Sequence, residues 1–166
     1  MKLEWMGRYR ELIRMIIKYN NLFTRMNSDK LLNNSGMSLT AQQWQTLECV
    51  IEYEDTNFNM VYFAKQLGIP KSTFSKYVRY LTEHGLVDKY QQSDNNKNII
   101  LKPTAKGRAL YGKNSAIIRD AGWKEAFATL DALSDEQIEV FTEFMAKMAA
   151  ELEPENNRVI ELMKLS

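Results

Sequence analysis

Apolar residues recur at helical spacing along most of this chain, and between residues 86 and 102 that rhythm gives way to a strand-like one. From about Leu3 to Met26 the positions Met6, Tyr9, Leu12, Ile13, Ile16, Ile17, Leu22 and Phe23 predict one long helix. A helix that apolar must bury more than one side. From Asn27 to Ser38 the rhythm is lost to Asn, Ser, Asp and Gly, which predicts a loop. Thr40-Ala41-Gln42-Gln43 is a capping box, a hydroxyl at the N-cap with Gln three residues on. It opens a helix that buries Trp44, Leu47, Val50 and Ile51. Glu54 to Asn59 reads as a polar turn, and Asn59 is placed to cap a short helix that buries Phe63, Ala64 and Leu67. Gly68 supplies a tight turn and Ile69 plugs the core. Pro70 has no N–H to give and suits a helix start.

The next predicted helix spans about Lys71 to Glu83, with Phe74, Val78 and Leu81 on one face. Ser72, Ser75, Lys76 and Arg79 lie on the opposite face, and Lys71 and Thr73 sit at its N-terminal end. His84-Gly85 stops it, with Gly as a left-handed cap. Leu86 to Tyr90 reads as a strand, Ser93 to Lys97 as a polar turn and Asn98 to Lys102 as the return strand. Thr104 can cap a long helix running to about Leu130, with Leu110, Tyr111, Ile117, Ile118, Trp123 and Phe127. Ser134 to Gln137 is a second capping box. The helix it opens carries Ile138, Phe141, Met145, Met148 and Leu152 at alternating spacings of three and four, a seam for another helix. Pro154 breaks it, and Glu155 to Ser166 has room for one more apolar turn (Val159, Ile160, Met163).

Two short helices meeting at Gly68-Ile69-Pro70, then strand, polar tip and strand, make a winged helix-turn-helix. That shape fits a helix into the DNA major groove. The expected fold class is mainly α with a small β-wing, the winged helix-turn-helix flanked by long N- and C-terminal dimerisation helices. Residues 1–36 are the N-terminal helix and loop, 37–104 the DNA-binding module and 105–166 the C-terminal helices and tail, in one continuous domain. The terminal helices carry more apolar surface than one small module can cover. The economical reading is a homodimer joined through Leu12, Ile16, Ile138, Phe141, Met145 and Met148. Its two modules would read half-sites about one helical turn apart. The alternative is a monomer whose terminal helices fold back on each other.

Charge sharpens this picture. The chain of 166 residues has a formal net charge of only +1. Residues 60–108 nevertheless hold nine Lys or Arg against three acids, a net of +6, whereas 1–59 balance at zero and 109–166 carry −5. Opposite signs suggest one surface for phosphate and another kept from it. At 45% hydrophobic and 26% charged the composition is that of an ordinary soluble protein. Neither a membrane-length apolar run nor a signal core is visible, so a cytoplasmic location is expected. One cysteine and one histidine exclude an internal disulfide and make a structural zinc site unexpected. Neither a catalytic constellation nor a phosphate loop is visible, so no enzyme activity, cofactor or metal is expected.

Within the module, Ser72, Thr73, Ser75 and Lys76 are candidates for base edges and phosphates, and Lys76 suits guanine. Lys71 and Arg79 are phosphate candidates, setting register rather than sequence. Asn96 and Lys97 are the candidates at the wing tip. Tyr77 and Tyr80 stand between packing and phosphate contact. Trp44, Tyr53, Met15, Phe23 and Trp123 could line an effector pocket, although such residues at helical spacing also make plain core. Cys49 lies between Leu47 and Val50, where a lone cysteine is usually an inert small hydrophobe. Glu48 and Glu52 would raise its pKa.

The order of elements resembles the MarR family of bacterial transcription regulators over nearly the whole chain. The resemblance rests on Leu67-Gly68-Ile69-Pro70-Lys71-Ser72-Thr73-Phe74-Ser75-Lys76, Leu81-Thr82-Glu83-His84-Gly85-Leu86-Val87 and Thr104-Ala105-Lys106-Gly107. It implies a dimer on a pseudo-palindromic operator, acting as a repressor and released by a small, often aromatic, ligand. The wing departs from the family's Asp-x-Arg, with Asn95 at the Asp position and Lys97 at the Arg position. A Lys can reach a narrow groove but lacks the planar fork of Arg. Pro103 replaces the usual Leu before Thr104. Some MarR-like proteins sense peroxide through a cysteine near the start of the first helix, whereas Cys49 falls on the second. The expected function is a sequence-specific, DNA-binding transcription regulator. The alternatives are a winged-helix protein-interaction module and a Cys49-based redox sensor.

Overall fold

Both capping boxes written into the sequence form. In a computed structural model of the chain, which describes residues 4–26, 30–32, 37–92 and 95–153, the Thr40 N–H donates to Gln43 Oε1 at 2.9 Å and the Gln43 N–H to Thr40 Oγ1 at 3.2 Å. Ser134 and Gln137 repeat the exchange at 3.0 and 3.3 Å. These caps open α2 (Ala41–Glu52) and α7 (Asp135–Leu152). Between them the elements are α3 (Met60–Gln66), α4 (Lys71–Glu83), β3 (Val87–Gln92), β4 (Asn95–Pro103), α5 (Ala105–Ile118) and α6 (Lys124–Leu130). Ahead of α2 lie α1 (Arg10–Met26), β1 (Lys30–Leu32) and β2 (Ser38–Thr40).

Four sequence expectations change. The first helix does not run unbroken from Leu3: Glu4–Tyr9 is a 3-10 segment, and Gly7 leaves the helical region at φ 48, ψ −132, so regular α-helix begins at Arg10. Glycine alone adopts that conformation without strain. The segment read as a loop contains the three-residue strand β1, which pairs antiparallel with β2 beginning at the segment's last residue, Lys30↔Thr40 to Leu32↔Ser38. The helix expected from Thr104 to Leu130 is interrupted by a π-helical stretch, Arg119–Trp123, between α5 and α6. The return strand of the wing is also longer than expected, starting at Asn95 and ending at Pro103. The apolar turn read into Glu155 to Ser166 lies outside the described residues, as do Ser93 and Asp94 of the wing tip.

The chain divides into two units, Met1–Asn114 and Ser115–Ser166, with the boundary inside α5. The core of the first is built from Leu39, Leu47, Val50, Phe63, Phe74, Val78, Leu81, Leu86, Val87 and Leu101, all essentially inaccessible. Apart from Leu39 on β2 and Leu86 in the turn before β3, these come from α2, α3, α4 and both wing strands, so burial itself fixes the recognition elements together. The apolar side of α1 stays largely open: Leu12, Met15, Ile17, Tyr19 and Leu22 are exposed, as is Tyr9 just before it, and only Ile13, Ile16 and Phe23 are half-buried. The expectation that this helix buries more than one side is not met within the described residues. In the second unit none of the described residues of α6 or α7 is buried.

One device ends both helices of the helix-turn-helix. At α3 the Gly68 N–H donates to the Lys65 carbonyl and the Ile69 N–H to the Ala64 carbonyl, both at 3.0 Å. At α4 the Gly85 N–H donates to Thr82 and the Leu86 N–H to Leu81, both at 2.9 Å. These are Schellman turns, which need a left-handed residue, and Gly68 (φ 62) and Gly85 (φ 67) supply it. Each turn drives the following apolar residue back toward the core.

Candidate nucleic-acid interface

Helix α4 is held by one face and open on the other. Phe74, Val78 and Leu81 have no exposed surface, while Lys71, Ser72, Ser75, Lys76 and Arg79 are exposed and Thr73 is half-buried. The predicted face therefore forms, with its six residues on one helix. Pro70 caps α4 without a side-chain hydrogen bond. Lys71 thus stands at the positive end of the helix dipole. Arg79 pairs with Glu83 one turn on, at 4.0 Å with both side chains exposed, a loose pair that solvent screens. Asn96 and Lys97 lie on β4, but their side chains are outside the described residues. Tyr77 is a packing residue: its hydroxyl donates to Gln42 Oε1 on α2 at 3.0 Å. The Tyr80 ring stacks on His84 with centroids 4.0 Å apart, and His84 Nδ1 lies 2.8 Å from the Tyr80 carbonyl oxygen. A hollow of about 190 Å³ opens beside the face, lined by Asn59, Val61, Lys71, Ser75, Asn98 and Ile99.

The basic middle of the chain is less free than its charge count suggests. Lys102 Nζ donates to the carbonyl oxygens of Glu54 and Thr56 at 2.7 and 2.6 Å. Lys106 Nζ donates to the His84 carbonyl at 2.8 Å, and Arg108 Nε to Glu54 Oε2 at 2.6 Å. These three cations hold the module together. Sequence reasoning counted them with the phosphate-facing charge, and nothing in a Lys or Arg at a strand or helix start separates the two uses. Lys65, Lys71, Lys76, Arg79 and Lys89 are exposed.

The proposed pocket residues enter separate surroundings. Trp44 stacks on Tyr111 with centroids 5.6 Å apart, and the Tyr111 hydroxyl donates to Glu48 Oε1 at 2.8 Å. Burial and the Glu48 carboxylate push the Tyr111 hydroxyl up to about 12. Tyr53 sits among Phe58, Tyr62 and Phe63, with ring centroids 5.7 to 6.3 Å away. Met15 is exposed on α1, Phe23 stacks on Tyr19, and Trp123 stacks on Phe127 in the second unit. A second hollow, of about 350 Å³, is lined by Gln45, Glu48, Cys49, Glu52, Tyr53 and Leu67. Cys49 is 6% exposed, and burial, with Glu52 and Glu48 behind it, pushes its thiol up to about 11. A thiol so held is a poor nucleophile at neutral pH, which disfavours redox sensing. Of the candidate interface residues, Leu12, Phe141 and Met145 are exposed, and Ile16, Ile138 and Met148 half-buried.

No protein-family model matches the sequence. The HTH-type transcriptional regulator PchR of Bacillus subtilis (strain 168) is 24% identical over 111 residues, which span 66% of this chain and 63% of that protein. The chain thus matches less than two thirds of that relative's length. Among solved structures, the S. aureus MepR–DNA complex matches with a TM-score of 0.61 at 21% identity, over 87% of this chain and 98% of that one. The PcaV transcriptional regulator from Streptomyces coelicolor, in complex with its natural ligand, matches with a TM-score of 0.58 at 18% identity, over 90% and 97% of the two chains. ZitR of Lactococcus lactis, a zinc-responsive MarR family member, matches with a TM-score of 0.56 at 19% identity, over 86% and 97% of the two chains, so the fold is the winged-helix fold of MarR-family regulators.

Proposed function

We propose that the protein is a sequence-specific regulator of transcription that binds double-stranded DNA as a homodimer and represses from a pseudo-palindromic operator. The observation that carries this is α4, clamped by Phe74, Val78 and Leu81 while Lys71, Ser72, Ser75, Lys76 and Arg79 face outward. A rigid helix with a small, hydroxyl-rich, basic face suits the major groove. Ser72, Thr73, Ser75 and Lys76 would meet base edges and phosphates, Lys71 and Arg79 phosphates, and Asn96 and Lys97 the neighbouring minor groove. The homodimer is supported by the apolar side chains that α1 and α7 leave exposed. A small-molecule effector is supported by the ligand-bound state of the similar PcaV structure and by the hollows in the first unit.

Selection of bound duplexes from a random pool, at about 0.15 M salt where weak phosphate binding fades, tests the proposal. An enriched inverted repeat, bound on the order of 10³-fold more tightly than unrelated duplex, is expected. Equal affinity for every duplex would sink it. A Lys71/Lys76/Arg79 triple Ala variant with undiminished activity would favour the protein-interaction alternative instead.

A further inference from the structure

The wing's return strand is stitched to the loop that precedes the helix-turn-helix. Lys102, half-buried on β4, donates to the carbonyl oxygens of Glu54 and Thr56, which lie in the polar turn after α2. The far end of that turn touches the same strand: Asn59 Nδ2 donates to Asn98 Oδ1 at 3.3 Å, and Asn59 forms a bridge with Ile100. Asn59 is also the N-cap of α3, accepting from the Val61 and Tyr62 N–H groups at 3.0 and 3.1 Å. The turn is itself stiffened, since the Thr56 hydroxyl donates to the Tyr53 carbonyl at 2.8 Å and Arg108 reaches Glu54. The strand β4 is therefore tied directly to the first helix of the helix-turn-helix, and β3 follows α4 through the Gly85 turn.

We propose that Lys102 is the positioning residue of the wing. Its ammonium locks β4 to the Glu54–Asn59 turn and so fixes where that strand stands relative to the helix-turn-helix. An ammonium suits the task because it places strong, charge-assisted donors on two carbonyls at once. Beyond its hairpin partner β4 is anchored by the buried Ile100 and Leu101 and by Asn59, and Lys102 adds two charge-assisted ties to a two-stranded hairpin that would be marginal alone. The role of the wing in DNA binding rests on the function proposed above; the tie itself does not.

Two measurements on the full chain separate the two claims. Amide hydrogen exchange in Lys102→Met, without DNA, should show β3 and β4 exchanging about tenfold faster while the buried turns of α4 around Phe74 and Val78 are unchanged. Lys102→Arg, which keeps the donors, should retain wild-type protection of the wing. Unchanged wing exchange, or acceleration shared equally by wing and α4, would overturn the positioning role, the second because Lys102 would then be a general stabiliser. The other measurement is a double-mutant cycle on a duplex: the affinity lost by Lys97→Ala should at least halve in the Lys102→Met background. Full additivity there would also overturn it. Absence of DNA binding by the wild-type chain would sink the proposed function and leave the exchange result standing.

Discussion

Two glycines of α5 face opposite consequences. A Cβ on Gly107 would lie 2.2 Å from the Leu86 carbonyl oxygen, a backbone atom that cannot step aside. On Gly112 it would meet nothing within 4 Å. Gly107→Ala should destabilise by about 3 kcal/mol, and Gly112→Ala should stabilise by about 0.5–1 kcal/mol, both read from urea unfolding. A loss under half of that at Gly107 would mean that α5 can lift off the Gly85–Leu86 turn. Thr104-Ala105-Lys106-Gly107 was legible as a motif, but the close approach that requires glycine was not, because it joins Gly107 to Leu86, far away along the chain. Cys49 makes a second prediction. Its thiol, raised to about 11 from an ordinary value near 9, is favoured as the neutral form by the fold. That contribution to stability is present below pH about 9 and is lost as pH rises through about 11. At pH 7.5 iodoacetamide should therefore label the native protein far more slowly than the unfolded chain. Equal rates would reopen a reactive role.

At the scale of elements, caps and turns were the legible part. Thr40-Gln43, Ser134-Gln137, Asn59, Gly68 and Gly85 stand where local chemistry demanded them, because a cap needs only residues within one turn of chain. The β1–β2 pair was invisible for the converse reason: strands of three residues carry too few alternations to register. The π-helical stretch at Arg119–Trp123 left no trace either, since one slipped turn barely shifts an apolar stripe. Asn59 serves two elements at once, and Asn59→Ala should cost about 1–2 kcal/mol in denaturant unfolding. A cost near zero would mean that water replaces both the cap and the Asn98 bond.

For the whole molecule, the sequence put positive charge in the middle and unspent apolar surface at the ends, and the structure keeps both. Phe141 and Met145 on α7 are each about 40% exposed, and Val140 is 67% exposed. Phe141→Glu should weaken self-association at least tenfold by sedimentation velocity, with helix content by circular dichroism unchanged. Unaltered association would place any interface elsewhere. The internal bonds of Lys102, Lys106 and Arg108 have a thermodynamic consequence for the electrolyte around DNA. Polyanion binding is driven by counterions set free, about 0.9 per phosphate neutralised. Nine cations in residues 60–108 would give a log–log slope of affinity against salt near −8 per module, but Lys102 and Lys106, held to carbonyls, and Arg108, paired with the Glu54 carboxylate, are not placed to neutralise phosphates. For the DNA complex proposed above the slope should be no steeper than about −5 per module, so the ties that stiffen this fold would also make that complex less sensitive to the ionic strength of its surroundings.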